Sequence, residues 1–523
     1  MANNKTDGKL IALGAITAVV LAATSIINTI HEKASSDKIE NNISTDNGDL
    51  KINWDKHSTY EINLEDTFTI GQSGTYHLTG SIKDGSIIVN AGNGVVRLIL
   101  DNVSIKNSSG PAIACYNADD LVIELVGNNT LEDGSTYSKD LDEDVKGAVY
   151  LKADLTLTGD GSLSVVANYQ DGIVSKDDLK INGGKYIISA KDDGIRGKDS
   201  VYIVDGNIEV EAGSDGIKST NETTAGKGFV LIEKGRISVN AGAKGIKAIN
   251  SVLINDGNIS ISSKDDSLHS NKYVGVIGGN IEINSGDDGI HADKELIVDG
   301  GNITIKKSYE GLEAQVITIN GGNTSIIASD DGINAGGGAD NSANNRPGAG
   351  MFDADTNCML TINDGAVYIN ASGDGLDSNG FLTFNGGTVT VDGPTNNGNG
   401  ALDSGAGISI NGGQVIAVGA SGMAESLGAS STIYNASIYF TSAQKAGTKV
   451  VIKDSSGKTI ISHESAKAFN HMSVGTEEFR KGEKYSIYVN GALYKTFAIS
   501  DIVTTVGSNN VNQNQSGPGM MRR

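Results

Sequence analysis

A short acidic motif recurs along this chain at a nearly constant interval, and that interval limits the fold more than any other feature. SAKDDGIRGKD (189–199) is followed by AGSDGIKSTN (212–221), SSKDDSLHSN (262–271), NSGDDGIHAD (284–293), ASDDGINAG (328–336) and ASGDGLDSN (371–379). Anchored on the residue before the glycine, or before the serine that replaces it, the series runs Asp171, Asp193, Asp215, Lys244, Asp266, Asp288, Glu310, Asp331 and Asp374. The steps are 22, 22, 29, 22, 22, 22, 21 and 43. The longer steps hold TNETTAGK (220–227) and the glycine-rich AGGGADNSANNRPGAG (335–350). Each unit adds a second turn, such as INGG (181–184) or VDGG (298–301), and then an alternating strand such as NIEVEA or NITIKK. Strict alternation buries one face and wets the other. A unit this short cannot close its own core, but stacked units can.

The expected fold is therefore all-β: a right-handed single-stranded parallel β-helix of about 22-residue coils, each about 4.8 Å above the last. Like positions then stack. The inward apolar ladder is Ile173, Ile195, Ile217, Ile246, Leu268, Ile290, Leu312, Ile333 and Leu376. The expected spans are a signal peptide or N-terminal anchor (1–33), a linker (34–59), the β-helix (60–428), a small antiparallel β domain (429–502) and a disordered tail (503–523). The last domain follows from hairpin signals after Ser430, and a solenoid end needs a cap over its open strand edge.

Lys5 and Lys9 precede an uncharged run from Leu10 to Ile30, which reads as an export address. Cleavage after Ala22 and retention as a membrane anchor through residues 10–30 both remain open, and both place the bulk of the chain at the cell surface or beyond it. The net charge of −22 argues against nucleic acid as a direct partner. Cys115 and Cys358 read as separate small hydrophobes, neither a disulfide nor a metal site.

An isolated Asp-Gly is a turn signal, because Asp bonds nearby backbone and Gly tolerates positive φ. A stack of such turns is different. Unit charges about 4.8 Å apart repel by roughly 0.9 kcal/mol in water and roughly 3.5 kcal/mol at an effective dielectric near 20. Such a ladder must splay, protonate or hold cations. The candidate Ca²⁺ ligands are Asp171, Asp192, Asp193, Asp215, Asp265, Asp266, Asp287, Asp288, Asp330 and Asp331, with Asp374, Asp377 and Asp403 as a further set. A competing neutraliser lies three residues past each acid, where Arg196, Lys218, Lys247, His269 and His291 occur. Arg196, Lys218 and Lys247 are the candidate ligand-binding cations. The two histidines are expected at the surface, with no transition-metal site. Asp140, Asp142 and Asp144 lack the glycine and glutamate of an EF-hand, so they read as a solvated loop.

DGPTNNGNGALDSGAG (392–407) followed by INGGQVIAVGASGMAES (410–426), with DGIVSKDDLKINGG (171–184), DDGIRGKDSVYIVDG (192–206) and GKGFVLIEKGRISV (226–239), resembles the bacterial carbohydrate-binding domain-containing β-helix family. The resemblance spans roughly residues 60–500. It implies an exported, surface-associated parallel β-helix, similar in fold to pectate lyases, that binds Ca²⁺ and binds cellulose or acidic polysaccharides such as polygalacturonate. It implies no catalysis. The expected function is accordingly Ca²⁺-dependent polysaccharide binding. A scarcity of aromatic residues, 5% of the chain, favours cation-bridged uronates over flat crystalline glycans. The alternatives are a pectate-lyase-like enzyme, with a basic residue beside the ladder as base, and a self-associating surface filament or matrix subunit.

Overall fold

The computed structural model describes residues 35–40, 43, 51–336 and 354–508. The N-terminal apolar run, most of the glycine-rich insertion and the end of the tail lie outside the described residues.

The alternating strands stack as a parallel β-solenoid of about 15 turns, with a separate antiparallel sheet after it. Each regular coil carries a short strand after the acidic motif, a second strand, and a longer alternating third one. Ile195–Gly197, Ser200–Ala212 and Ile217–Ser219 show the rhythm, the middle one bending through a bulge near Asp205. The apolar ladder is in register coil after coil. Ile173 pairs with Ile195, Ile195 with Ile217, Ile217 with Ile246, Ile246 with Leu268, and Leu268 with Ile290. It continues through Leu312, Ile333 and Leu376 to Leu402. These side chains are fully buried and form one continuous core with the inward residues of the other two sheets. Cys115 and Cys358 are both buried and unpaired, as expected of small hydrophobes.

The glycine of the acidic motif has a role other than the one its turn chemistry suggests. Gly194 does not adopt positive φ. A Cβ there would lie 2.3 Å from Val210 Cγ1 and 2.5 Å from the Gly216 carbonyl. The residue is small because two coils and a neighbouring strand converge at the corner.

The solenoid ends in a cap. Phe469–Thr476 lies antiparallel on Gln414–Gly419, the last strand of the third sheet, and also pairs with Asn435–Gln444. The direction change satisfies the edge that a parallel stack leaves open. Thr459–Glu464, Lys449–Lys453, Lys484–Val489 and Ala492–Ala498 form a separate antiparallel sheet in that spatial order. Ile416 and Val418, on the outer side of the last coil, are buried in the core of this cap.

Two segments differ from expectation. Val503–Val506 is a strand parallel to Asn435–Gln444, so the first part of the expected tail is ordered. Residues 35–40, read as part of a linker, instead pack on the solenoid flank. Ser36 and Ile39 are buried, and the Ser36 N–H donates to Asp299 Oδ2 at 2.7 Å. Gly275 makes room on both sides, since a Cβ there would lie 2.7 Å from Leu253 Cδ1 of the neighbouring coil, 3.0 Å from Ser36 Oγ and 3.2 Å from Ile39 Cδ1. Gly275→Val is expected to expel this strap. Limited proteolysis should then cut before residue 51 far faster than in the parent protein, with the solenoid fragment intact.

Candidate functional site

The acidic motifs build two adjacent columns at one corner of the solenoid. The first holds Asp171, Asp193, Asp215, Lys244, Asp266, Asp288, Glu310, Asp331 and Asp374. The second, three residues on, is in direct register: Val174, Arg196, Lys218, Lys247, His269, His291, Glu313, Asn334, Asp377 and Asp403. The first column is not a solvated fringe. Asp171, Asp193, Asp215, Lys244, Asp266 and Asp288 are all buried.

The two oxygens of each carboxylate do different work. One oxygen of Asp171 accepts the Asp193 N–H at 3.2 Å, and one of Asp193 accepts the Asp215 N–H at 3.2 Å. Asp215 accepts the Lys244 N–H, Asp266 the Asp288 N–H and Asp288 the Glu310 N–H in the same way. The acid therefore caps the next coil. In Asp171 and Asp193 the second oxygen meets the basic residue of the second column one coil on, whereas in Asp215, Asp266 and Asp288 it meets the one three residues ahead in the same coil. Arg196 lies 2.6 Å from Asp171 Oδ2, and Lys218 lies 2.6 Å from Asp193 Oδ2. Lys244 stands in the acidic column itself, yet it serves the same end: its Nζ lies 2.5 Å from Asp266 and 3.2 Å from Asp265.

The histidines are buried, contrary to the surface position expected for them. Their rings stack with centroids 4.9 Å apart, and Nδ1 of His269 lies 2.9 Å from Asp266 Oδ2. His291 Nδ1 meets Asp288 at 3.2 Å and Glu313 at 2.6 Å, while Nε2 meets Asp293 at 3.2 Å. Burial alone pulls His291 down, but Asp288, Asp293 and Glu313 more than reverse it and push it up to about 12. Carboxylates at both ring nitrogens favour the imidazolium, one more internal cation. Donors of Asp266, His269 and His291 also converge within 4.8 Å, as do those of Asp288, His291 and Glu313, a metal-compatible spacing that the sequence reading had set aside.

Past Glu313 the internal cations stop. Neither column holds a Lys, Arg or His from Glu310 to Asp403. Burial first, and then the charges of Asp374, Asp330 and Asp403, push Asp331 up to about 7. Burial and the charges of Asp331, Asp374 and Asp403 push Asp377 up to about 8. Burial and Asp403 likewise push Glu425 up to about 7. Among the described residues, this end of the ladder is the part whose two columns carry no counter-charge.

The expected residues thus sort by position. Asp171, Asp192 and Asp193 bring carboxylate oxygens within 4.8 Å of one another, and so do Asp265, Asp266 and Asp287, but Arg196 and Lys244 are already seated beside them. Of the three candidate ligand-binding cations, Arg196 and Lys218 are spent on the ladder. Lys247 is half-buried and forms no ion pair among the described residues. A second acidic corner, missed in the sequence, joins Asp154, Asp177 and Asp178, where Lys227 reaches Asp178 at 2.5 Å. Its signal was the repeated Asp-Leu of NADDL, KADL and KDDL.

A family model described as carbohydrate-binding domain-containing protein matches residues 64–332, which covers most of the solenoid and takes in the first cation-free rungs at Glu310 and Asp331. The chain belongs to this family. A carbohydrate-binding domain-containing protein of Acetivibrio thermocellus is 33% identical over 159 residues, covering 28% of this chain and 56% of that relative. The chain therefore matches only about half the length of that relative. A solved structure, described as a polysaccharide lyase-like protein from C. thermocellum in a gadolinium derivative, shows 30% identity with a TM-score of 0.41. It covers 42% of this chain and 96% of the other.

Proposed function

We propose that this carbohydrate-binding domain-containing protein is an exported, non-catalytic binder of acidic polysaccharide, and that it binds through Ca²⁺ held at the cation-free end of the ladder. The observation that carries the proposal is the loss of internal cations beyond Glu313 while the carboxylates continue. Asp331, Asp374, Asp377 and Asp403 supply oxygens from three successive coils, and Ca²⁺ accepts about six to eight oxygens in flexible geometry. A uronate carboxylate would complete the shell from outside, joining an acidic protein to an acidic glycan. Lys247 offers a cation to a second sugar carboxylate further along the same corner.

The lyase alternative has less support. A base lysine needs a depressed pKa. Burial would lower Lys218, but Asp193 and Asp215 outweigh it and raise it, so this lysine stays protonated.

Affinity electrophoresis in polygalacturonate is the test. Retardation is expected with millimolar Ca²⁺, none in EDTA, and none for the Asp374→Asn, Asp377→Asn double variant. No unsaturated product should accumulate. Retardation that ignores both EDTA and the double variant would sink the proposal.

A further inference from the structure

The cap does more than close the solenoid. Where it overhangs the third sheet it leaves a cavity of about 550 Å³, with solenoid strands as floor and His463 and Glu464 of the cap as one wall. The floor is a single outward column in register, Thr304, Ser325, Tyr368 and Thr390, and it ends at Ile416, where the cap covers the sheet. Three coil steps give it a length of roughly 14 Å at strand spacing.

The floor is built rather than incidental. The Tyr368 hydroxyl donates to Asp392 Oδ2 at 3.0 Å, which pins the one aromatic ring of the column. Asp392 is buried, its Oδ1 lies 2.8 Å from His463 Nε2, and the Ala466 N–H donates to the same Oδ2 at 3.1 Å. One carboxylate therefore fixes both the floor ring and the wall ring. Beside this column runs a ladder of asparagine amides, in which Asn302 donates to Asn280 and Asn323 donates to Asn302, both at 2.8 Å. The next position is Ala366, so no side-chain donor from the following coil reaches the Asn323 carbonyl oxygen.

We propose that this groove binds a linear neutral oligosaccharide, lying along the solenoid axis with a pyranose over Tyr368. The floor and its flank offer hydroxyls, amides and one pinned ring, a set that matches sugar hydroxyls and a sugar face. A uronate is disfavoured, because Asp392 and Glu464 present the same charge. Coil rise and the advance of a pyranose chain are similar in length, so successive sugars meet successive rungs. The proposal rests on the carbohydrate-binding reading of the chain. It adds a site whose Tyr368, Asp392 and cap wall lie beyond residue 332, where the family match ends.

Calorimetry of the full chain in EDTA, with cellohexaose and mannohexaose as probes, tests it. At least one should bind the parent protein, and Ser325→Arg, which fills the groove from a half-exposed position, should weaken it by about tenfold or more. Tyr368→Phe should retain more binding than Tyr368→Ala. Polygalacturonate retardation in Ca²⁺ should be unchanged in Ser325→Arg, so failure of the groove and failure of the acidic-glycan reading give different results. Absence of binding by both probes, or equal binding by Ser325→Arg, would overturn the groove.

Discussion

Lys244→Met is expected to destabilise the protein by about 3–5 kcal/mol, the cost of leaving buried charge without its partner. Lys244 is buried and its ammonium sits between Asp265 and Asp266. Methionine fills much the same space without the charge, so the loss reports electrostatics and not a cavity. Asp266 cannot relax into water. Its Oδ1 is held by the Asp288 N–H, and without the ammonium it keeps the rings of His269 and His291 nearby but no lysine. Adding Asp266→Asn to Lys244→Met should recover part of the loss, because the amide still accepts the Asp288 N–H and carries no charge. Thermal and urea denaturation of the two single variants and the double variant would measure the coupling. A Lys244→Met protein as stable as the parent would mean that the ladder does not need its internal cations.

The second large effect is a pH dependence that Ca²⁺ should remove. In the folded protein Asp331 titrates near 7 and Asp377 near 8, against an ordinary value of 3.8 for each. Between those limits the folded state holds protons that the unfolded chain has released. Stability contributed by these groups is therefore complete below about pH 4 and lost as pH rises through the folded values. In EDTA the melting temperature should fall from pH 5 to pH 8, by an amount equivalent to a few kcal/mol across the cluster. Bound Ca²⁺ favours the charged carboxylates and should flatten the curve. The Ca²⁺-induced rise in melting temperature should be larger at pH 8 than at pH 5. A rise independent of pH would place the ion elsewhere.

The repeat made the fold legible because a solenoid turns spacing into position. Once the 22-residue step is set, Ile195 must lie over Ile173 and under Ile217, and it does. The acids were legible as a column for the same reason. The fate of each oxygen was not. That depends on the direction of a corner side chain relative to the next coil, which spacing does not specify. Lys244 looked like an interruption of the acidic column and is one of its counter-charges. His269 and His291 looked like surface residues, but the second column turns inward beside buried carboxylates. The groove lay out of reach for another reason: Asp392 and His463 are 71 positions apart and belong to different grammars of the chain. The motif DGPTNNGNG drew notice as a family resemblance, and in the fold its aspartate is one of the residues that tie the cap to the last coils.

The central claim is that the ladder carries its own cations from Asp171 to Asp288 and needs an external one beyond Glu310. Calorimetric titration of Ca²⁺ into the EDTA-treated, dialysed protein tests this most directly. Asp374→Asn with Asp377→Asn should abolish the binding, while Asp171→Asn, whose carboxylate already meets Arg196, should leave it intact. Binding that survives the first change and is lost with the second would contradict the account.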